Sequence, residues 1–527
     1  MMNRGRSMIR PMVIFTAVAI SLVIGAGAQS IDRLSGNPPE TRADIVILDT
    51  MKEFGTLERP AVLFLHDKHT EVLANKKKDC KTCHLDENDQ LSPKFKRLKN
   101  TDRQMVMDTY HTQCIACHQD ETGPDGKRGP VECGECHRKH PQFVSGRLPL
   151  GMDKSLHYRH VQSNEKKCEL CHHEYDTKAK KLFYAKEKEG TCRYCHLKET
   201  QENRISMKSA SHLACIDCHR KRLAKDVDAG PVKCGGCHDP LEQKVIETIK
   251  NVPRMERKQP DAVFVRQESP LVKQPKIDLG MNPVPFNHKD HEGYNDTCRV
   301  CHHASLNSCS KCHTPAGSDE GKQINLAQAM HQERTSQSCK GCHQIKQQDK
   351  NCAGCHVSEP TSDKQDNTSC RSCHSSPLPE GTPLAEATSL AAKWLKDRKQ
   401  TPATLADSDI PENVVIKGIS QQYEPVELPH RKMIRTLIKN IQNNQLAQYF
   451  HREETTLCQG CHHNSPASAK PPGCSSCHGQ PFDEKNIFKP GLKAAYHQQC
   501  MECHAVMGIE KPAANDCIAC HIEKKKW

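Results

Sequence analysis

Residues 288–303 read HKDHEGYNDTCRVCHH. His288 and His291 stand three apart. Cys298 and Cys301 follow, also three apart. His302 comes directly after the second cysteine, and His303 directly after that. Working outward, C-x-x-C-H recurs along the whole chain. The motifs join Cys80 to Cys83, Cys114 to Cys117, Cys133 to Cys136, Cys168 to Cys171, Cys192 to Cys195, Cys215 to Cys218, Cys234 to Cys237 and Cys298 to Cys301. They continue with Cys309 and Cys312, Cys339 and Cys342, Cys352 and Cys355, Cys370 and Cys373, Cys458 and Cys461, Cys474 and Cys477, Cys500 and Cys503, and Cys517 and Cys520. These sixteen pairs use all 32 cysteines.

The pattern is that of covalent c-type haem attachment. Two thiols at this spacing add to the two vinyl groups on one porphyrin edge, and the next imidazole reaches the iron as proximal ligand. Structural zinc wants four ligands drawn from two cysteine pairs and needs no histidine after each pair. Iron–sulfur clusters want longer cysteine runs without the histidine. A disulfide framework has no reason to keep every pair two residues apart.

Composition points the same way. Hydrophobic residues are 35% and aromatics 4% of the 527 residues, against an ordinary apolar share of about 45–50%. A chain this polar cannot offset the entropy of ordering with side-chain burial alone. Sixteen covalent haems would supply the missing core. The formal charge of +12 is largely cancelled, since each oxidised haem adds roughly one negative charge through its propionates. The lysines read as propionate counterions, and a nucleic-acid partner has no support. Residues 1–30 read as a secretory signal, with Arg4, Arg6 and Arg10 ahead of the apolar run 12–25. Ala26-Gly27-Ala28 fits the cleavage pattern, so the mature chain is expected to start at Gln29 in the periplasm. No cysteine near that point offers a lipid anchor.

Half of the 32 histidines are the proximal set: His84, His118, His137, His172, His196, His219, His238, His302, His313, His343, His356, His374, His462, His478, His504 and His521. Three devices organise most of the others. HxxH pairs precede motifs at His66/His69, His157/His160 and His288/His291. Doubled histidines follow motifs at His173, His303 and His463. Single histidines precede later motifs at His111, His212, His331 and His497. His140, His430 and His451 complete the set. The near-equality of the two sets implies bis-histidine iron at most haems. A histidine adjacent to a proximal one cannot reach the far face of the same porphyrin, so it must serve a neighbour.

These devices divide the chain into a trihaem module (29–145), a tetrahaem module (146–240), a linker (241–280) and a second tetrahaem module (281–358). An isolated haem with a linker helix (359–419) and a last tetrahaem module (420–527) follow. Apolar periodicity predicts amphipathic helices over 384–398, with Leu390 and Leu395 among its apolar positions, and over 432–449, with Ile434, Leu437, Ile438 and Ile441 on one side. The rest reads as short helices and loops wrapped round haems.

Order, count and histidine devices resemble the class III multihaem cytochromes of sulfate-reducing bacteria along essentially the whole mature chain. The resemblance implies distal ligands. His66, His69 and His111 would serve the haems at Cys80, Cys114 and Cys133. His157, His173, His160 and His212 would serve those at Cys168, Cys192, Cys215 and Cys234. His288, His303, His291 and His331 would serve those at Cys298, Cys309, Cys339 and Cys352. In the last module, residues 425–433 (PVELPHRKM) align with 283–291 (PVPFNHKDH), so Met433 stands where the second histidine belongs. His430, His463 and His497 would then serve the haems at Cys458, Cys474 and Cys517, and His451 the isolated haem at Cys370. The haem at Cys500, Cys503 and His504 is left without a distal histidine, and is expected to be high-spin unless Met433 ligates it. An alternative alignment with His451 and Glu454 leaves the same haem open. His140 is expected to be structural.

Bis-histidine iron exchanges electrons and not atoms, and lacks the potential-raising methionine. The expected role is electron transfer, with no catalytic residues. The resemblance implies a periplasmic hydrogenase and a small tetrahaem cytochrome as donors, and a membrane-bound redox complex leading to sulfate reduction as acceptor. The competing reading is a haem reductase working at the one open iron. Basic clusters such as Lys76-Lys77-Lys78 and Lys178, Lys180 and Lys181 could dock acidic partners.

Overall fold

The computed structural model describes residues 39–87, 89–123, 125–266, 281–356, 370–375, 384–397, 405–418, 420, 423–451, 455–479 and 489–525. The expected leader (1–30), Arg398 and Glu454 lie outside them. All 32 cysteines and all 32 histidines lie within.

Regular structure is short and local, as a haem-filled chain requires. Three longer helices, Arg103–Asp120, Met207–Leu223 and Leu492–Met507, share one sequence plan. Each carries a histidine, then two residues, then a C-x-x-C-H motif: His111 to His118, His212 to His219, His497 to His504. Seven residues is two helical turns, so the two histidines of each helix lie on one face and cannot clasp the same disc from opposite sides. Polar caps begin two of them, Asp102 accepting from the Met105 N–H and Ser206 from the Ser209 N–H. Gly508, at φ +64°, ends the third in the left-handed conformation that glycine tolerates.

All six sheets among the described residues are two-stranded. Three of them share a purpose. Ile45–Leu48 pairs antiparallel with Val62–Leu65, Ala262–Val265 with Val284–Asn287, and Val414–Ile416 with Val426–Leu428. In each case the second strand delivers the chain to a histidine-bearing helix: His66–Asn75, His288–Tyr294 and His430–Gln442. The hairpin fixes the direction in which the first histidine leaves the sheet.

The chain forms two compact units, Met1–Pro149 with Gly230–Val245, and Leu150–Ala229 with Ile246–Trp527. In the first, the motif at Cys234 folds back onto the trihaem region, although the sequence groups it with the second module. The Asp67 carboxylate accepts from the Cys234 and Gly235 N–H groups at 2.9 and 2.6 Å, and Lys233 pairs with Glu71. In the second unit, residues 246–266 of the stretch read as a linker are built in, and residues 267–280 of that stretch lie outside the described residues. Its strand Ala262–Val265 completes a sheet, and Arg254 and Arg257 reach Glu292 and Glu189.

The helix expected over 384–398 is Leu384–Asp397. It packs on the second hairpin, where Trp394 meets Phe264 edge-on at 5.0 Å. The helix expected over 432–449 is two helices, His430–Gln442 and Gln445–Phe450. The asparagines between them explain the break, because Asn444 caps the second helix through the Ala447 N–H. Ile434 and Ile438 bury with Leu405, Ile410 and Leu457 in an apolar cluster, and Leu437 and Ile441 pack against it. Elsewhere side chains bury little: Val106 is the one large side chain with under 2% exposure among the described residues. No helix among them is long and apolar enough to cross a membrane.

Candidate functional site

The histidine rings come in facing pairs. In the first unit His66 lies 6.3 Å from His84, His69 6.0 Å from His118 and His111 6.3 Å from His137, measured between ring centres. In the second unit His157 faces His172 at 6.2 Å, His160 faces His219 at 6.1 Å and His173 faces His196 at 6.0 Å. His288 and His302 are 6.2 Å apart, His291 and His343 6.4 Å, and His303 and His313 5.9 Å. Nearer the C-terminus His463 and His478 are 5.8 Å apart, and His497 and His521 5.9 Å. Van der Waals contact would bring stacked rings closer. Two metal–imidazole bonds of about 2.0–2.1 Å end to end, plus the depth of each ring, span about 6 Å. The residues therefore fit an iron between the two rings of each pair.

The outer nitrogens fix the tautomer. A carbonyl oxygen has no proton, so an imidazole Nδ1 hydrogen-bonded to one must be the donor, which leaves Nε2 with a free lone pair for metal. Among proximal histidines, Nδ1 of His84 donates to the Ser92 carbonyl (2.8 Å), His118 to Pro130 (2.6 Å), His196 to Ile205 (2.8 Å), His313 to Ile324 (2.9 Å) and His478 to Pro490 (2.8 Å). Among the expected distal set, His69, His160, His291 and His331 each donate to the carbonyl four residues earlier, all at 2.7 Å. The helix thus supplies its own acceptor and aims Nε2 outward.

No disulfide joins any of the 32 cysteines. That agrees with reading the pairs as attachment points and not as a framework of cross-links. Cys117, Cys195, Cys218, Cys477 and Cys520 are exposed, and Cys312, Cys342 and Cys373 are half-buried. Unpaired cysteine is ordinarily among the most buried residue types. Sulfurs left open in this way fit a group that adds to them from outside the polypeptide, as a haem vinyl does. Where thiols crowd together, burial dominates: it pushes the Cys114 thiol up to about 11, with Cys83 and Cys136 adding to it. His66, Asp67 and Cys234 bring a nitrogen, a carboxylate and a sulfur within 4.8 Å. Cys234 belongs to an attachment motif and His66 faces His84, so this group is part of the haem pattern.

Aromatic packing adds a constraint that motif reading missed. Phe64 covers His69 with ring centres 4.2 Å apart, and Phe286 covers His291 at 4.3 Å. The signal was present as a phenylalanine two residues before each of these HxxH pairs.

Two pairings differ from the sequence expectation. His331 faces His374 at 6.1 Å and not His356, and His451 faces His356 at 5.8 Å and not His374. The chain path explains the exchange. The helix Lys350–His356 lies against Leu492–Met507 so closely that a Cβ on Gly354 would meet the Cys503 and Met507 sulfurs at 2.5 Å. That contact carries the motif at Cys352 and Cys355 toward the C-terminal region, where His451 waits. His374 is instead held beside the second hairpin, its Nδ1 donating to the Asn282 carbonyl. The motif at Cys352 is therefore the displaced one, and the motif at Cys370 and Cys373 completes the preceding group.

Burial holds the His430 imidazole below its usual range, and the charge of His462 adds to this. His212 and His238 fall one in each unit. His504 donates through Nδ1 to the Pro512 carbonyl at 2.9 Å, yet among the described residues no histidine ring faces it. His140 is exposed and faces no other ring among them.

The sequence profile of the class III cytochrome C family matches residues 43–137, 142–238, 263–374 and 429–522. The third stretch ends at His374, the residue that the ring geometry joins to His331. The chain is 42% identical over its full length to the full length of high-molecular-weight cytochrome c of Nitratidesulfovibrio vulgaris (strain Hildenborough). The crystal structure of high-molecular weight cytochrome c from Desulfovibrio vulgaris (Miyazaki F) superposes with a TM-score of 0.79 at 41% identity, over 93% of this chain and 100% of that one. The sixteen-heme cytochrome from Desulfovibrio gigas gives 0.80 at 35% identity, over 92% and 100%. Attachment motifs, facing imidazoles and these likenesses converge: the chain belongs to the class III cytochrome c family, as a haem-binding electron-transfer protein built from repeated multihaem domains.

Proposed function

We propose that the protein binds sixteen haems, each through both thiols of one motif, fifteen of them bis-histidine, and works as a periplasmic conduit for low-potential electrons. The facing of imidazoles at iron-spanning distance carries the reading. An iron closed on both sides accepts and releases electrons without exchanging ligands, and two histidines keep its potential low. The axial pairs are those of the ring geometry, with His331 and His374 serving one haem and His356 and His451 another. His430 with His462 serves a further haem. The haem at Cys500 and Cys503 keeps His504 alone and is high-spin.

Contacts between haem-bearing segments support a continuous path. The Tyr194 hydroxyl, inside the motif of Cys192 and Cys195, donates to the His302 carbonyl at 2.6 Å. Gly460 would place a Cβ 3.1 Å from the Cys355 sulfur, so two further motifs touch.

The donor is a small tetrahaem cytochrome reduced by periplasmic hydrogenase, and the acceptor is a membrane-bound redox complex feeding sulfate reduction. Anaerobic mixing with hydrogenase under hydrogen tests this. The haem absorbance should reduce slowly with hydrogenase alone and many-fold faster when the tetrahaem cytochrome is added. Equal rates would remove the relay. Turnover of nitrite or hydroxylamine by the reduced protein, with no protein donor present, would favour a reductase at the His504 haem.

A further inference from the structure

His288 differs from the histidines that donate to carbonyls alone. Its Nδ1 is 3.1 Å from the Pro260 carbonyl and 2.7 Å from Glu292 Oε1. Glu292 sits four residues on along the helix His288–Tyr294, where side chains meet on one face. The residues four on from His66, His157 and His430 are Thr70, Val161 and Ile434, none of which is a carboxylate, and the Asp67 carboxylate beside His66 Nδ1 is farther off, at 3.5 Å. Glu292 is itself held by Arg254 through a two-pronged contact, Nε to Oε2 at 2.7 Å and Nη2 to Oε1 at 3.0 Å. Arg254 also bonds Asp261, and the Gln259 amide approaches Glu292 Oε2 at 3.4 Å. Glu292 and Arg254 are each about 20% exposed at the side chain, so the pair is partly shielded from water.

We propose that Glu292 is the potential-setting residue of the haem at Cys298 and Cys301, and that Arg254 moderates it. The proposal rests on His288 and His302 being the axial ligands of that haem. A carboxylate charge 2.7 Å from the outer imidazole nitrogen stabilises positive charge on the ring and the iron it binds, and makes Nε2 a stronger donor. That favours the ferric form. A carbonyl does the same more weakly, since it carries no full charge. Arg254 draws on the same oxygen, Oε1, and so limits the effect. Reduction adds one electron to the iron, and no bond forms or breaks. The residues that set this haem's potential thus come partly from the stretch between repeats, which otherwise looks like a tether.

Two substitutions in the full-length holoprotein give opposite signs. Glu292→Gln keeps the size and removes the charge. It should ease reduction of one haem about tenfold, equivalent to about 59 mV for a one-electron couple. Arg254→Met frees the carboxylate and should make reduction of that same haem harder. The readout is a potentiometric titration followed by EPR, in which one low-spin signal out of the set moves. A merely structural role would shift both variants the same way or disturb several haems. No movement in Glu292→Gln, or the same sign in both variants, overturns the proposal. A high-spin haem in wild-type protein that is lost with Cys298 or Cys301 would instead sink the ligation reading beneath it.

Discussion

In residues 263–374 a hairpin delivers two histidines to one short helix, and both find partners, His288 with His302 and His291 with His343. Just ahead of residues 429–522 the same kind of hairpin delivers His430 alone, because Met433 stands where the second histidine would be. His504 stands in the place of His343 and faces no ring among the described residues. The two helices differ accordingly. His288–Tyr294 has seven residues and none of them buried, whereas His430–Gln442 has thirteen and buries Ile434 and Ile438 in an apolar cluster. The third stretch holds its helix through imidazoles. The C-terminal stretch holds its helix through side-chain packing. Under the proposed ligation, that packing would release one iron from the duty of cross-linking the fold.

The strongest test of this contrast is to open the closed site. His291→Ala should convert the haem at Cys339 and Cys342 from low-spin to high-spin, raising the high-spin count from one to two in EPR. An unchanged count would mean that His291 is not a ligand. The reverse substitution, Met433→His, should lower the count from one to none and abolish carbon monoxide binding to the reduced protein. Retained binding would show that the C-terminal helix holds residue 433 away from the iron.

The apolar half of the contrast predicts a smaller effect. Ile438→Ala should cost about 2–5 kcal/mol, seen as faster hydrogen exchange across 430–442 with little change across 288–294. Equal exchange in both helices would mean that packing does not replace ligation. Smaller again is Tyr194→Phe, which removes one hydrogen bond worth about 1 kcal/mol and keeps the ring. It should slow electron equilibration between the haems at Cys192 and Cys298 after a light-driven reductant pulse, with potentials unchanged. Unaltered equilibration would show that electrons cross elsewhere.

How much of this was legible in the sequence depends on whether a feature is local. C-x-x-C-H is a contiguous chemical statement, so every attachment motif could be read directly. HxxH and the doubled histidine are nearly so, because the backbone period fixes where each ring points. The exchange between His331 and His451 was not legible, since motif order along the chain does not say which helix a motif leans on. Gly354 decides that, through a contact with Cys503 and Met507 about 150 residues away. Arg254 was hidden for a similar reason. It lies in a stretch rich in proline and charge that reads as a linker, and its partner Glu292 is visible only in three dimensions. The asparagine break at 443–444 could have been anticipated from its capping chemistry, yet apolar periodicity ran straight through it.

The central claim is that two imidazoles close every iron but one. Spin counting by EPR on the oxidised, purified protein, set against total haem, tests it most directly. The account predicts fifteen low-spin haems and one high-spin haem, the latter lost when Cys500 and Cys503 are replaced. An all-low-spin spectrum, or several high-spin haems distributed over the chain, would contradict it.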